Sequence, residues 1–265
     1  MAFKFNFGGA KDTDMEPRVA PLLNPVRDEP ESHEITPHSQ SSLRENAHDT
    51  VQLGDLQVFK SIATPSSSLS PAGSDIVPSV YEGGYKLWEC AIDLAEYLRK
   101  ASLCKGKSVL ELGAGHAIPS IVAAMQDATV LCIQDYNEEV LRDVTIPNLT
   151  TNTSNVPVRY FAGGWKTLPY NLRRRFDIIL SADTIYANQQ CDSLADCICR
   201  TLEVGGLALI AAKKYYFGVG GGTAAFQEAL RLHAKNQNIS LRIRTVLEIR
   251  DGLSNIREII EVQRE

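Results

Sequence analysis

Between residues 87 and 100 the apolar side chains Leu87, Trp88, Ala91, Leu94, Ala95 and Leu98 recur at three- and four-residue intervals. That spacing places them on one face of a helix. Ser108-Val109-Leu110-Glu111-Leu112 follows as a short apolar run ending in glycine, which reads as a buried strand entering a turn. The alternation continues downstream. Pro119 lies in the first turn of the next predicted helix, where its missing N–H does no harm. Residues 128–134 read as a strand, 137–148 as a helix, 176–181 as a strand and 191–202 as a helix. Gly205-Gly206 then turns the chain into a strand over 207–212. Two β-rich runs, 241–249 and 256–262, flank Asp251-Gly252 and predict a closing hairpin. Strands alternating with helices specify an α/β fold, with a parallel sheet covered on both faces.

The first quarter of the chain has a different texture. Residues 8–49 are rich in Pro, Glu, Asp, Ser and His, with few long apolar side chains and no sustained period. Such a stretch buries too little apolar surface to offset its ordering entropy, so disorder is expected. Residues 51–62 alternate loosely and read as a strand at a domain edge, and Thr64-Pro65-Ser66-Ser67-Ser68 reads as a linker. The expected organisation is a mostly disordered tail and linker over 1–68 and one domain over 69–265.

Composition narrows the function classes. With 265 residues, 44% hydrophobic content and a net charge of -5, the chain can bury one sizeable core and lacks the basic excess of a nucleic-acid binder. No direct sequence-specific contact with nucleic acid is expected. The six cysteines form no C-x-x-C pair and several sit in apolar runs, so they read as reduced, buried thiols with no metal site. The N-terminus has no apolar signal core, and no run approaches about 18 apolar residues. Neither secretion nor a membrane role is expected.

The candidate chemistry lies in Glu111-Leu112-Gly113-Ala114-Gly115 and in Asp135, which ends the next strand. Ligands of open α/β sheets bind beyond the carboxyl ends of the strands, where strand order reverses. Gly113 and Gly115 let backbone approach a ligand, and a carboxylate at Asp135 can accept hydrogen bonds from ribose hydroxyls. A nicotinamide fingerprint requires a third glycine where Ile118 stands. Glu111 would repel a pyrophosphate but suits a cationic cofactor such as S-adenosylmethionine. A simple glycine turn with a solvated Glu111 is the plain alternative.

Longer strings carry a resemblance. Ser79-Val80-Tyr81-Glu82-Gly83-Gly84-Tyr85-Lys86-Leu87-Trp88-Glu89-Cys90, Gln134-Asp135-Tyr136-Asn137, Thr145-Ile146-Pro147-Asn148, residues 181–186 and Tyr216-Phe217-Gly218-Val219-Gly220-Gly221-Gly222 resemble the eukaryotic protein-histidine N-methyltransferases. So does Phe3-Lys4-Phe5-Asn6-Phe7. The resemblance spans about residues 75–262. It implies a Rossmann-like, seven-stranded class I methyltransferase fold, with S-adenosyl-L-methionine as cofactor. It also implies methylation of a histidine ring nitrogen in a large-subunit ribosomal protein, by a monomer in the cytoplasm and nucleus. Carried over by position, it places Leu87, Trp88, Glu89, Cys90 and Ala91 along the cofactor. Glu111, Gly113 and Gly115 belong to the glycine loop, and Gln134, Asp135 and Tyr136 surround ribose and adenine. Gly163, Gly164 and Trp165 close the adenine side, and Ser181 ends the fourth strand. Asp183 and Tyr186 are the implied catalytic pair, and Tyr216, Gly218, Gly220 and Gly221 the implied substrate contacts. Two departures stand out: Gly164 replaces an acidic residue common in the family, and Ala117 replaces a glycine. Polar contact with adenine at Gly164 would then come from backbone.

Plainer roles exist for several of these residues. Trp88 suits a core, Tyr186 a sheet edge, Asp183 the N-cap of a short helix, and His116 packing. Three successive glycines carry a large folding entropy, which favours close backbone approach to a peptide at Gly220-Gly221-Gly222. Arg173-Arg174-Arg175 reads as a solvated run. A protein-lysine methyltransferase and a non-catalytic cofactor-binding assembly factor remain the alternative functions.

Overall fold

The computed structural model describes residues 28–37, 48–70, 73–252 and 255–265. Among these residues eight strands form one sheet, numbered in chain order, in the order β1-β6-β5-β4-β7-β8-β10-β9. Its centre is parallel: β4 (Ser108–Leu112), β5 (Val130–Asp135), β6 (Val158–Ala162), β7 (Phe176–Ala182) and β8 (Leu202–Lys213). The closing hairpin is present as β9 (Leu241–Ile249) and β10 (Arg257–Arg264), with β10 inserted antiparallel between β8 and β9. The α/β expectation therefore holds, with an eighth strand, β1 (His33–Ile35), added antiparallel to β6.

Both sides of the sheet are covered, and this explains why β4 is buried at every position. Its residues alternate between two cores. Val109 joins Leu94 and Leu98 of α1 (Glu89–Ala101) and Ile121 of α2 (Ile118–Met125). Leu110 and Leu112 face the opposite core, with Leu194 and Ile198 of α6 (Asn188–Thr201) and Phe226 and Leu230 of α7 (Thr223–Asn236). Leu112 pairs in register with Gln134 on one side and Ser181 on the other. Three strand ends therefore finish level, and the loops after β4, β5 and β7 leave the sheet together. Strand order reverses at β4, so this edge is the natural ligand crevice.

The helix expected over 137–148 is a composite. It comprises α3 (Glu138–Val140), a π-helical turn over Leu141–Thr145, and α4 (Ile146–Asn152). Thr145 Oγ1 donates to Gly115 O at 2.6 Å, which ties the π turn to the glycine loop. A short α5 (Leu168–Leu172) follows β6.

Two departures lie in the stretch read as tail. β1 falls within residues expected to be disordered. It caps the open edge of β6, which otherwise presents unpaired backbone groups, and Glu34 meets the Arg159 guanidinium at 2.7 and 2.8 Å. Only Ile35 of β1 is buried, so the run carries no periodic signal. The loosely alternating run is a hairpin of β2 (His48–Leu53) and β3 (Leu56–Ser61), folded about Gly54. Val51, Leu53 and Val58 enter the core beside α1. Asn148 Oδ1 accepts Ser61 N at 2.6 Å, and Asn152 Oδ1 accepts Phe59 N at 2.9 Å. The packed body thus includes residues 48–61, which the 1–68 boundary had assigned to the tail. Residues 1–27 and 38–47 of the predicted tail, including Phe3-Lys4-Phe5-Asn6-Phe7, lie outside the described residues.

Phe226 is fully buried in the α6/α7 core. Phe226→Ala should lower unfolding free energy by about 3–5 kcal/mol, through lost burial and a residual cavity. Urea denaturation measures this, and a loss below about 1 kcal/mol would contradict the packing described.

Candidate functional site

Beyond the carboxyl ends of β4, β5 and β7 lies a cleft enclosing about 940 Å³ of space, open solvent at its mouth included. Its place beyond the strand ends, where strand order reverses, suits a small-molecule or cofactor site. The glycine loop forms its floor. Gly113 has φ +66°, and a Cβ there would fall 2.5 Å from Thr184 Cγ2. Gly115 has φ +48°, where a Cβ would press on Gly84 O at 3.2 Å. Both positions require glycine for conformation and for room.

Two neighbouring side chains hold this loop. Gln134 Oε1 accepts Gly113 N at 3.0 Å and Trp165 Nε1 at 2.7 Å, while its Nε2 donates to Gly163 O at 2.7 Å. Asp135 Oδ2 accepts Gly115 N at 2.8 Å, and its Oδ1 accepts Asn137 N at 3.1 Å. Burial pushes the Asp135 carboxyl up to about 6, against the pull of these N–H donors.

The segment before α1 forms the facing wall. Glu82 Oε1 accepts Ser79 N at 2.7 Å. Its Oε2 is buried and has no hydrogen-bond partner among the described residues. Burial pushes this carboxyl up to about 7, helped by the nearby Asp135 and Glu29 carboxylates. Trp88 lines the cleft with Leu87 and Ala91, its Nε1 donating to Gly83 O at 3.0 Å. It serves as wall rather than core.

The opposite rim follows β7. Asp183 has φ +55° and lines the cleft. Its Oδ1 accepts the Tyr216 hydroxyl at 2.7 Å, and its Oδ2 accepts Cys90 N at 3.1 Å. Cys90 N lies in the first turn of α1, so Asp183 caps that helix from across the cleft rather than a helix of its own. The Tyr216 hydroxyl also accepts Lys213 N at 3.1 Å. Burial, then the Asp183 charge, raise the Tyr216 hydroxyl well above its ordinary value, so it stays protonated and donates.

The implied site residues divide in two. Leu87, Trp88, Ala91, Gly113, Gly115, Gln134, Asp135, Tyr136, Gly164, Trp165, Asp183 and Tyr186 all line the cleft. Glu89, Cys90, Glu111, Gly163, Ser181, Tyr216, Gly218, Gly220 and Gly221 do not. Glu111 is fully buried and accepts Ser120 N at 3.0 Å, with its carboxyl pushed up to about 8 by burial. It is therefore not the acid at the loop mouth; the acids that line the cleft are Glu29, Glu82, Asp135 and Asp183. Glu89 pairs with Lys213 and Arg257 at 3.7 and 3.8 Å. The Ser181 hydroxyl donates to Leu112 O at 2.8 Å. Gly163 backs onto the Glu31 and Ser32 backbone.

The triple glycine answers a need within the chain. A Cβ on Gly221 would fall 2.2 Å from Ile185 O and 2.3 Å from Tyr186 C, and Gly221 N donates to Tyr186 O at 3.1 Å. The close approach is to the segment carrying Tyr186, not to a peptide. His116, its charged form disfavoured by burial, is held between Tyr85 O and Asn148. Sequence reasoning missed Glu82, although it lies within the 79–90 string between Tyr81 and Gly83. It also missed Glu29, which carries no local signal. No cluster of metal-ligating side chains occurs among the described residues.

Comparison with known proteins accords with this geometry. A family model described as lysine methyltransferase matches residues 79–217. The chain is 42% identical over 192 residues to the histidine protein methyltransferase 1 homolog of Dictyostelium discoideum, covering 71% of this chain and 60% of that protein. It is 36% identical over 186 residues to the Bos taurus homolog of that name, covering 58% of this chain and 50% of that protein. The chain thus spans only half to three-fifths of these curated relatives. A SAM-dependent methyltransferase from Agrobacterium tumefaciens shares the fold, at TM-score 0.54 and 14% identity over 82% of this chain and 70% of that one.

Two predictions follow from the buried groups. Glu111 has a folded pKa near 8, above its ordinary 4.5. Its contribution to stability is complete below about pH 4.5 and is lost as pH rises towards 8. Glu111→Gln, which does not titrate, should therefore gain on the parent by about 1 kcal/mol or more between pH 5 and pH 8 in urea unfolding; a pH-independent difference would contradict this. Gly221→Ala should destabilise by about 2 kcal/mol or more, since the collision is with backbone. Thermal denaturation reads this out, and an unchanged midpoint would contradict the close approach.

Proposed function

The chain belongs to the lysine methyltransferase family that matches residues 79–217, and on that premise we propose that it methylates a histidine ring nitrogen of a protein. Its cofactor is S-adenosylmethionine. The cleft fits that molecule on three counts. Gly113 and Gly115 line its floor with bare backbone, held in place by Gln134 and Asp135. Glu82 Oε2 is a buried acceptor awaiting a donor. Asp135 lies beside it, with lone pairs to spare for ribose hydroxyls. Gly113, Gly115, Asp135 and Glu82 would hold the nucleoside sugar and tail, and Tyr136 and Trp165 the base. When bound, the cofactor supplies a methyl group on a sulfonium, open to in-line displacement by a lone pair.

The observation that carries the histidine reading is Asp183. Its carboxylate faces the cleft and is fixed from behind by Tyr216 and by Cys90 N. A neutral imidazole needs no base to become nucleophilic near pH 7. It needs one nitrogen's N–H held so that the other presents its lone pair. Asp183 accepts that N–H and stabilises the positive charge the ring gains on methylation. Tyr186, half-buried on the same rim, shapes the acceptor side. Positioning of this kind supplies several kcal/mol of barrier reduction. The names of the relatives support the same acceptor.

The resemblance further points to a large-subunit ribosomal protein as acceptor, met by a monomer in the cytoplasm and nucleus. The description of the matching family favours a second reading, a lysine acceptor. A lysine ammonium must first shed its proton, from an ordinary pKa near 10.4, so a carboxylate would have to act as base. Labelled methyl transfer into extract from cells lacking the protein, followed by mass spectrometry, separates the two. The proposal expects label on histidine, and label on lysine alone would contradict it.

Asp183→Asn should lower methyl transfer about a hundredfold while cofactor affinity stays within about threefold. Unchanged turnover would contradict the role given to Asp183. Asp135→Ala should weaken S-adenosylhomocysteine binding about tenfold or more in calorimetry. Ribose hydroxyls donate to the ionised carboxylate, so affinity in the parent should fall as pH drops through 6, the value of Asp135. A flat profile from pH 5.5 to 7.5 would contradict that contact.

A further inference from the structure

Glu29 reaches the cleft from outside the central sheet. It precedes β1, which is laid along β6 with His33 opposite Ala162 and Ile35 opposite Tyr160. Between Glu29 and β1 the segment is fastened to the loop after β6. Gly164 N donates to Pro30 O at 2.9 Å, and Ser32 N donates to Thr167 Oγ1 at 2.7 Å. Asn171 Nδ2 donates to Ser32 O. The Glu29 side chain is itself oriented. Its Oε2 accepts Lys166 N at 3.2 Å, and its Oε1 accepts the hydroxyl of Ser193 in α6.

The opposing chain makes room for it. A Cβ on Gly164 would fall 2.5 Å from Glu29 Cβ and 2.6 Å from Glu29 Oε2. Any side chain at Gly164 would displace the carboxylate. We propose that Glu29 is a cofactor-binding residue that recognises the exocyclic amine of the adenine, and that residues 30–35, fastened to β6 and the loop after it, hold it at the cleft.

The chemistry follows from placement. The sugar is held at the end of β5 by Asp135, and the next strand outward is β6, which leads into Gly164 and Trp165. A base carried by that sugar meets Glu29 there. An ionised carboxylate only accepts hydrogen bonds, and each oxygen of Glu29 has a second lone pair beyond its present partner. The ring nitrogens on the edges of adenine are acceptors, and the exocyclic amine is its strong donor. Carboxylate and amine are therefore the complementary pair, and a base with a carbonyl at that position would be repelled. The acidic group absent at Gly164 is thereby supplied from a segment more than 130 residues earlier in the chain.

This inference rests on S-adenosylmethionine being the cofactor, and its test separates the two claims. The full chain, Glu29→Ala, Glu29→Gln and Gly164→Ala are titrated calorimetrically with S-adenosylhomocysteine and with S-inosylhomocysteine, whose base carries a carbonyl in place of the amine. The parent should favour the adenosyl ligand by tenfold or more. Glu29→Ala should lose about tenfold towards the adenosyl ligand and hold or gain affinity towards the inosyl one. Glu29→Gln, which keeps an acceptor oxygen, should retain part of the affinity. Gly164→Ala should reproduce the loss by displacing the carboxylate. Equal losses for both ligands would reduce Glu29 to a structural support and overturn the proposal, as would unchanged adenosyl affinity in Glu29→Ala. If the parent binds neither ligand, the cofactor reading falls and this inference with it. If the parent binds and Glu29→Ala binds equally, only this inference falls.

Discussion

Gln134 and Asp135 stand side by side at the end of β5 and accept hydrogen bonds from the loop that leaves β4. Gln134 takes Gly113 N and Asp135 takes Gly115 N, so alternate amides of the glycine loop are pinned to one strand. The same glutamine holds Trp165 and the Gly163 carbonyl. The floor of the cleft and its Trp165 side are both referenced to this pair. Replacing either side chain with an apolar one would strand buried donors, each at about 1–3 kcal/mol, and would also misplace the loop. The hydrogen bond from Thr145 to Gly115 O fixes the loop from its other side, through the π-helical turn. Such turns recur at functional sites because they redirect side chains within a helix.

Acid burial is the electrostatic theme. Asp135 and Glu82 face a common space and are raised to about 6 and 7, in each case chiefly by desolvation. Keeping such groups in one cleft is unfavourable without a donor-rich or cationic occupant, and S-adenosylmethionine is both. On the opposite rim Asp183 is held by Tyr216 and by the first turn of α1. The element that walls the cofactor thereby also sets the angle of the group assigned to the acceptor. Sites placed on fixed elements in this way lose less on binding than sites on free loops.

The fold was legible where periodicity was strong. The helix carrying Leu94 and Leu98, the buried strand into Gly113 and the closing hairpin were all readable from pattern. β1 was not, because a three-residue strand with one buried side chain has no period to detect. The β2–β3 hairpin read as a single strand, since its two-residue turn at Gly54 interrupts the alternation so briefly. In the site, Gly113, Gly115 and Asp135 follow from local chemistry. Glu111 misled because its place beside the glycine loop is shared by acids that point either way from the strand. β4 alternates its faces, and Glu111 lies on the α2 side. Glu29 was illegible for a different reason: its role depends on a contact across more than 130 residues and on the missing side chain at Gly164.

These elements together make one claim, that a nucleoside lies across the ends of β4, β5 and β6 with its sugar on the Gln134–Asp135 bracket. A crystal structure of the full chain with S-adenosylhomocysteine tests it most directly. The ribose hydroxyls should lie within hydrogen-bonding distance of Asp135, with the base against Trp165 and the loop amides unchanged in their contacts to Gln134. A nucleoside bound elsewhere, or a bracket broken on binding, would contradict the account.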